Sequence, residues 1–163
     1  MKPETDRTRR NLLGAALGAS ALAVIGAAPA QQKPQITVYK SPSCECCDEW
    51  IKHLRANGFS VEAHKVGDTG RARQTYGVPD ALASCHTAVV DGYAVEGHVP
   101  AADIKRLLRE RPKAIGLAVP GMPQDAPGMD LGKGEPYDVL LFSANGQYKV
   151  YRHYQPEPKP RRS

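Results

Sequence analysis

Ile36-Thr37-Val38-Tyr39, then Ser41-Pro42-Ser43, then Cys44-Glu45-Cys46-Cys47-Asp48-Glu49-Trp50-Ile51 is the stretch on which the fold turns. The first four residues are β-branched or aromatic, the composition of a strand. Ser41-Pro42-Ser43 ends it. Trp50, Ile51 and Leu54 then recur at helical spacing, Asp48 and Glu49 place negative charge in the first turns, and Asn57-Gly58 supplies the C-terminal stop. Strand, turn and helix in this order put three cysteines at a helix N-terminus. Backbone N–H groups without helical partners point outward there and the dipole is positive, so thiols in this turn are expected to shift toward thiolate.

Toward the C-terminus, Phe59 to Val66 alternates well enough for a second strand. Gly67 to Gly70 reads as a loop, and Arg71 to Tyr76 as at most a short helix before Gly77-Val78-Pro79. Thr87-Ala88-Val89-Val90 and Tyr93-Ala94-Val95-Glu96 flank Asp91-Gly92, a two-residue hairpin signal. Pro100 sits where a helix begins, with Ile104, Leu107 and Leu108 on its inward face up to Arg111-Pro112. The order β-α-β, short helix, β-hairpin, α predicts an α/β fold, a thioredoxin-like domain with a small sheet covered by helices. An extension is appended to it. Gly116 to Tyr137, rich in Pro and Gly, is expected to be a long ordered loop, followed by a second hairpin of Val139 to Phe142 and Tyr148 to Tyr151 around Asn145-Gly146. Gln155 to Ser163 is expected to be a disordered tail.

Toward the N-terminus, Thr8-Arg9-Arg10-Asn11-Leu12-Leu13 opens a weakly apolar stretch of Ala, Gly and Leu that closes on Ala28-Pro29-Ala30. An arginine pair, a short thin apolar region and an A-x-A site predict a signal peptide over residues 1–30, cleaved after Ala30, and not a membrane anchor. The arginine pair further suggests the twin-arginine route and a periplasmic destination. One domain, residues 31–154, is then expected. The net charge of +5 over 163 residues is scattered, with a concentration only at Lys159-Pro160-Arg161-Arg162. Such a chain has no basic stripe of the kind that tracks nucleic acid. No apolar run after Ala30 is long enough to cross a bilayer, so no membrane partner is expected for the mature domain.

The fourth cysteine, Cys85, precedes the first hairpin strand, in the stretch that returns to the start of the first helix in a thioredoxin-like fold. Four sulfurs, Cys44, Cys46, Cys47 and Cys85, are therefore expected to converge on a metal. Zinc sites draw on separated pairs, whereas Cys46 and Cys47 are adjacent, a spacing better suited to bridging. Monovalent copper is soft and accepts shared thiolates at low coordination number, so a multinuclear Cu(I) cluster fits. Pro120-Gly121-Met122 and Pro127-Gly128-Met129 repeat one tripeptide and offer two thioethers, which makes Met122 and Met129 weaker candidates. His86, directly after Cys85, and His98, two residues before Pro100, are further candidates, as ligands or as partners of ligands.

Four motifs in order, Ser43 to Cys47, Ser84-Cys85-His86-Thr87, Glu96-Gly97-His98-Val99-Pro100, and Gly116 to Pro123, resemble those of the CopG-type copper-resistance proteins, long catalogued as a domain of unknown function. The likeness spans nearly all of residues 35–154. It implies a thioredoxin-like fold with a C-terminal extension, a periplasmic location and a cysteine-bridged copper cluster on Cys44, Cys46, Cys47 and Cys85. Its implied role is copper handling, or redox interconversion of copper ahead of efflux, with periplasmic efflux components as partners.

Three other readings stay open on the residues alone. Cys44 and Cys47 form a C-x-x-C pair, the signature of a thiol-disulfide oxidoreductase, although Cys46 and Cys85 would compete with that pair. Four cysteines and a twin-arginine leader also suit an iron-sulfur carrier, but the C-x-C-C run is unlike ferredoxin spacing. Two structural disulfides are the third, with Cys44, Cys46 and Cys47 competing for one partner. His53, His64 and His153 read as surface residues, and Trp50 as core beneath the cysteine turn.

Overall fold

The computed structural model describes residues 33–157. The expected leader, residues 1–30, lies outside the described residues, as does most of the expected tail; Gln155 to Glu157 carry no regular structure. No helix among the described residues is long and apolar enough to cross a membrane.

The elements in chain order are β1 (Gln35–Lys40), α1 (Glu45–Ala56), β2 (Ser60–Lys65), α2 (Thr69–Thr75), a 3-10 turn (Asp80–Leu82), β3 (His86–Val90), β4 (Tyr93–Glu96), α3 (Ala101–Glu110), β5 (Gly116–Ala118), β6 (Tyr137–Phe142) and β7 (Tyr148–Tyr154). All strands among the described residues join one seven-stranded sheet in the order β2-β1-β3-β4-β5-β6-β7. The protein is thus a mixed α/β domain. β1 and β2 run parallel, as a helical crossover through α1 requires, and β3 lies antiparallel to β1 with Lys40 opposite His86.

Residues alternate between the two faces of each strand, and the core divides accordingly. On one face Ile36, Val38, Ala88, Val90, Val95 and Leu117 meet Trp50, Ile51 and Leu54 of α1 and Ile104 and Leu107 of α3. On the other, Ala94, Ala118 and Phe142 meet Val78 and Leu82. Trp50 is fully buried beneath the cysteine turn, as expected, and its indole N–H donates to the carbonyl of Val99 at 2.8 Å.

Two expectations need correction. The stretch from Gly116 to Tyr137 is not all loop: β5 pairs parallel to β4 and antiparallel to β6, and so carries the C-terminal hairpin into the main sheet. Its signal is hidden because Gly116 has no strand propensity of its own. What admits it is close approach, since a Cβ at Gly116 would fall on the Ala94 backbone. Likewise α2 starts at Thr69, inside the expected loop, because the Asp68 side chain caps it by accepting the Gly70 N–H at 2.8 Å.

Candidate metal centre

Cys44 is the N-cap of α1, in extended conformation (φ −80°, ψ 93°), and its N–H donates to the carbonyl of Ser41 at 3.2 Å. Cys46 and Cys47 occupy the first turn. Cys47 shares the inward stripe with Trp50, Ile51 and Leu54 and is fully buried, while Cys44 and Cys46 are half-buried. Cys44 and Cys47 are joined as a disulfide, with Cα atoms 5.4 Å apart; Cys46 and Cys85 are free. One turn of helix brings the first and fourth residues of C-x-x-C within disulfide reach, and that decides which of the three neighbouring thiols pair.

Cys85 arrives from across the sheet, at the entry to β3. Its Sγ lies 3.6 Å from Cys47 Sγ, and Cys44 Sγ lies 3.6 Å from Cys46 Sγ. All four sulfur atoms fall within 4.8 Å of one another. The sequence reading brought these four together, and the structure does too.

A second set of donors adjoins them. Cys85 Sγ is 3.2 Å from His86 Nδ1 and 3.2 Å from His98 Nε2. The Nδ1 atom of His98 is 2.8 Å from the Pro127 carbonyl, which can only accept, so the proton sits on Nδ1 and Nε2 turns its lone pair to the sulfur. His86 is fully buried against Trp50, ring centroids 4.3 Å apart, and its Nε2 has no partner. Burial pushes the His86 imidazole down to about 3, helped by the neighbouring His98 ring. Burial also lowers that of His98. Both are therefore neutral rings at neutral pH, the form that binds metals.

Burial pushes the Cys85 thiol up, to about 12, and the Cys46 sulfur adds to the effect. Cys85, outside the helix turn for which thiolates are expected, is governed by desolvation, and without a cation to share the charge this sulfur keeps its proton. The buried cation at the end of β1 is engaged already. Lys40, 1% exposed, places its Nζ 3.1 Å from Asp48 Oδ1, binding the end of β1 to the first turn of α1.

The Pro-Gly-Met turns flank the site through their backbones. Gly121 N–H donates to the Ala83 carbonyl at 2.9 Å, and the Ser84 hydroxyl donates to the Gly121 carbonyl, which sets the first turn beside Cys85. The second turn seats Gly128 (φ +89°) on α1, where a Cβ would lie 2.6 Å from Trp50 N and 2.9 Å from the Cys46 carbonyl. Met122 is 55% exposed at the rim and Met129 is half-buried. His64 and His153 are exposed, as expected, but His53 is not a free surface residue. Its Nε2 accepts the Ala101 N–H at 3.1 Å and caps the start of α3.

Sequence reasoning missed Glu96, Arg73 and the Lys40–Asp48 pair. Their signal was present as charge where alternation demands apolar residues: Lys40 continues the inward series of Ile36 and Val38, and Glu96 closes a buried strand.

The donor set suits a soft cation. Sulfurs sharing an ion at about 2.3 Å lie roughly 3.7–4.6 Å apart, from tetrahedral to linear geometry. The observed separations of 3.6 Å to at most 4.8 Å approach that range with two of the sulfurs still bonded to each other. Carboxylates are absent from this set, which disfavours hard ions.

Fold and site together define a mixed α/β domain with a four-cysteine cluster able to hold a metal. Two solved structures of the copper resistance protein CopG, its forms 1 and 2, are each 47% identical to this chain with a TM-score of 0.71. They cover 76% and 75% of this chain, and 99% and 98% of their own length. The chain belongs to the CopG family of copper resistance proteins. A family model described as a protein of unknown function, DUF411, matches residues 82–129, which hold Cys85, both candidate histidines and both Pro-Gly-Met turns. No curated protein sequence matches.

Proposed function

We propose that this protein serves copper resistance by binding monovalent copper through Cys44, Cys46, Cys47 and Cys85 once the Cys44–Cys47 disulfide is reduced. The observation that carries the reading is the convergence of four sulfurs from two distant segments within 4.8 Å. Copper is cargo here, and several thiolates shared at this spacing favour a multinuclear Cu(I) cluster. Neutral His86 and His98 beside Cys85 complete or support the ligand set, and Met122 and Met129 are secondary donors. The arrangement β1-α1-β2 followed by the β3-β4 hairpin and α3 is read as thioredoxin-like, with β5 to β7 as its extension. The arginine pair and A-x-A site of residues 1–30 support a twin-arginine leader and the periplasm, where efflux components would be the acceptors.

The disulfide also supports redox interconversion. Two cupric ions can each take one electron from the Cys44–Cys47 dithiol; the thiols release two protons and close the disulfide, and two cuprous ions result. Cys46 and Cys85, still reduced, remain to hold them.

The test is the copper content of reduced protein loaded anaerobically. More than one Cu(I) per chain is expected for the natural sequence, with sharply lower loading for Cys46→Ser and Cys85→Ser. Unchanged loading removes those residues from the site. A second reading, a thiol-disulfide oxidoreductase using Cys44 and Cys47, is favoured by the disulfide at the start of α1. Robust insulin reduction by the metal-free protein supports it; negligible turnover favours copper.

A further inference from the structure

We propose that Glu96, together with Arg73, is a positioning residue that holds Cys85 against the cysteines of α1. Glu96 is fully buried, on the sheet face opposite α1, and no part of the proposed copper chemistry calls on it. Its Oε1 accepts the Ser84 N–H at 2.7 Å and the Arg73 Nε–H at 3.0 Å, and its Oε2 accepts the Thr87 hydroxyl at 2.6 Å. These partners bracket Cys85 on both sides. Arg73, from α2, also donates through Nη2 to the Ser84 carbonyl at 3.0 Å, so both backbone groups of the preceding residue are fixed by one ion pair.

Sheet stability alone does not call for this arrangement. Buried ion pairs can often be replaced by well-packed apolar residues at little or no cost, and in some proteins what they supply in exchange is a defined geometry. Here the geometry concerns a turn that precedes the first ladder residue of β3 and so has no strand partner to locate it. Without the carboxylate, Ser84 N–H is left without an acceptor and the Arg73 guanidinium without its counter-charge. The turn relaxes, and Cys85 Sγ leaves its place 3.6 Å from Cys47 Sγ. The metal consequence rests on the copper reading above; the placement of the thiol does not.

The experiment therefore has two arms. In a Cys44→Ser/Cys46→Ser background, Cys47 and Cys85 are the only thiols, and dibromobimane, which fluoresces when both its arms are alkylated, reports their proximity. Glu96→Ala in that background is expected to lower cross-linking several-fold with the circular dichroism spectrum kept. Glu96→Gln, which retains an oxygen for Ser84, should recover much of it. In the four-cysteine protein, Glu96→Ala should reduce bound Cu(I) and alter the ultraviolet sulfur-to-copper band. Natural cross-linking in folded Glu96→Ala overturns the proposal. If that variant does not fold, Arg73→Ala decides in the same way, and failure of both to fold overturns it by making the pair a requirement of the fold. If the natural chain binds no copper while the cross-linking arm behaves as described, the copper reading fails and the positioning role stands.

Discussion

Cys47 Sγ lies 3.6 Å from Cys85 Sγ while it is itself bonded to Cys44 Sγ. The same sulfur thus belongs both to a disulfide within one turn of α1 and to a four-sulfur cluster that spans the sheet. A sulfur in a disulfide is a poor ligand, because the thiolate is the form that binds metal. Copper binding by all four sulfurs and disulfide closure are then mutually exclusive, and the disulfide leaves only Cys46 and Cys85 as thiol ligands. Titration with Cu(I) should show the oxidised protein losing most of its copper capacity and recovering it after reduction. In the converse experiment, the rate at which a thiol reagent modifies the reduced protein should fall by at least tenfold once copper is bound. Equal capacity in both redox states would contradict the shared-sulfur account.

Acidity follows from the Cys85 environment. Its thiol is pushed up to about 12, chiefly by burial, so copper must displace a proton there at any physiological pH. Each proton released makes the apparent affinity rise about tenfold per pH unit. Affinity measured by chelator competition should therefore climb at least that steeply from pH 6 to 8, and a flat profile would exclude Cys85 as a thiolate ligand. Stability of the reduced, metal-free protein carries the opposite trend. A folded-state pKa above that of the unfolded thiol, about 8.5, contributes stability that is complete below that pH and is lost as pH rises toward the folded value. Denaturant midpoints should decline across that alkaline window, and Cys85→Ser should flatten the decline.

Gly128 tests how the C-terminal loop belongs to the site. Its positive φ of 89°, and the 2.6 Å at which a Cβ there would meet Trp50 N, leave no room for a methyl group. Gly128→Ala should lift the Pro127-Gly128-Met129 turn from α1 at a cost of about 1–3 kcal/mol. It should also free His98 from the Pro127 carbonyl and so weaken copper binding. Thermal unfolding with and without Cu(I) reads both effects, and a variant as stable and as copper-competent as the natural chain would show the loop to be dispensable.

Much of this molecule is legible in its sequence, and the parts that are not share a cause. The strand ending at Lys40, the helix of Trp50, Ile51 and Leu54, and the Asp91-Gly92 hairpin follow from local periodicity and turn chemistry. So does the position of the cysteines at a helix start. The convergence of Cys85 on the trio follows from topology, once that order of elements is accepted. By contrast β5 exists because Gly116 lets two strands approach, Glu96 is buried because Arg73 reaches it from α2, and His53 is drawn inward by the start of α3. Each of these depends on a partner distant in the chain, and one residue's own pattern does not carry that. The choice of Cys47 over Cys46 as the partner of Cys44 lies between the two cases. It needs only helix geometry, but Cys46 and Cys85 compete with Cys47 for the same partner.

The central claim is that the sulfurs of Cys44, Cys46, Cys47 and Cys85 share copper, and X-ray absorption at the copper edge tests it most directly. Reduced protein loaded with Cu(I) under anaerobic conditions should give an edge typical of the monovalent ion, a first shell dominated by sulfur at about 2.3 Å, and a copper–copper distance from bridged neighbours. A first shell of nitrogen and oxygen with no sulfur would contradict the account.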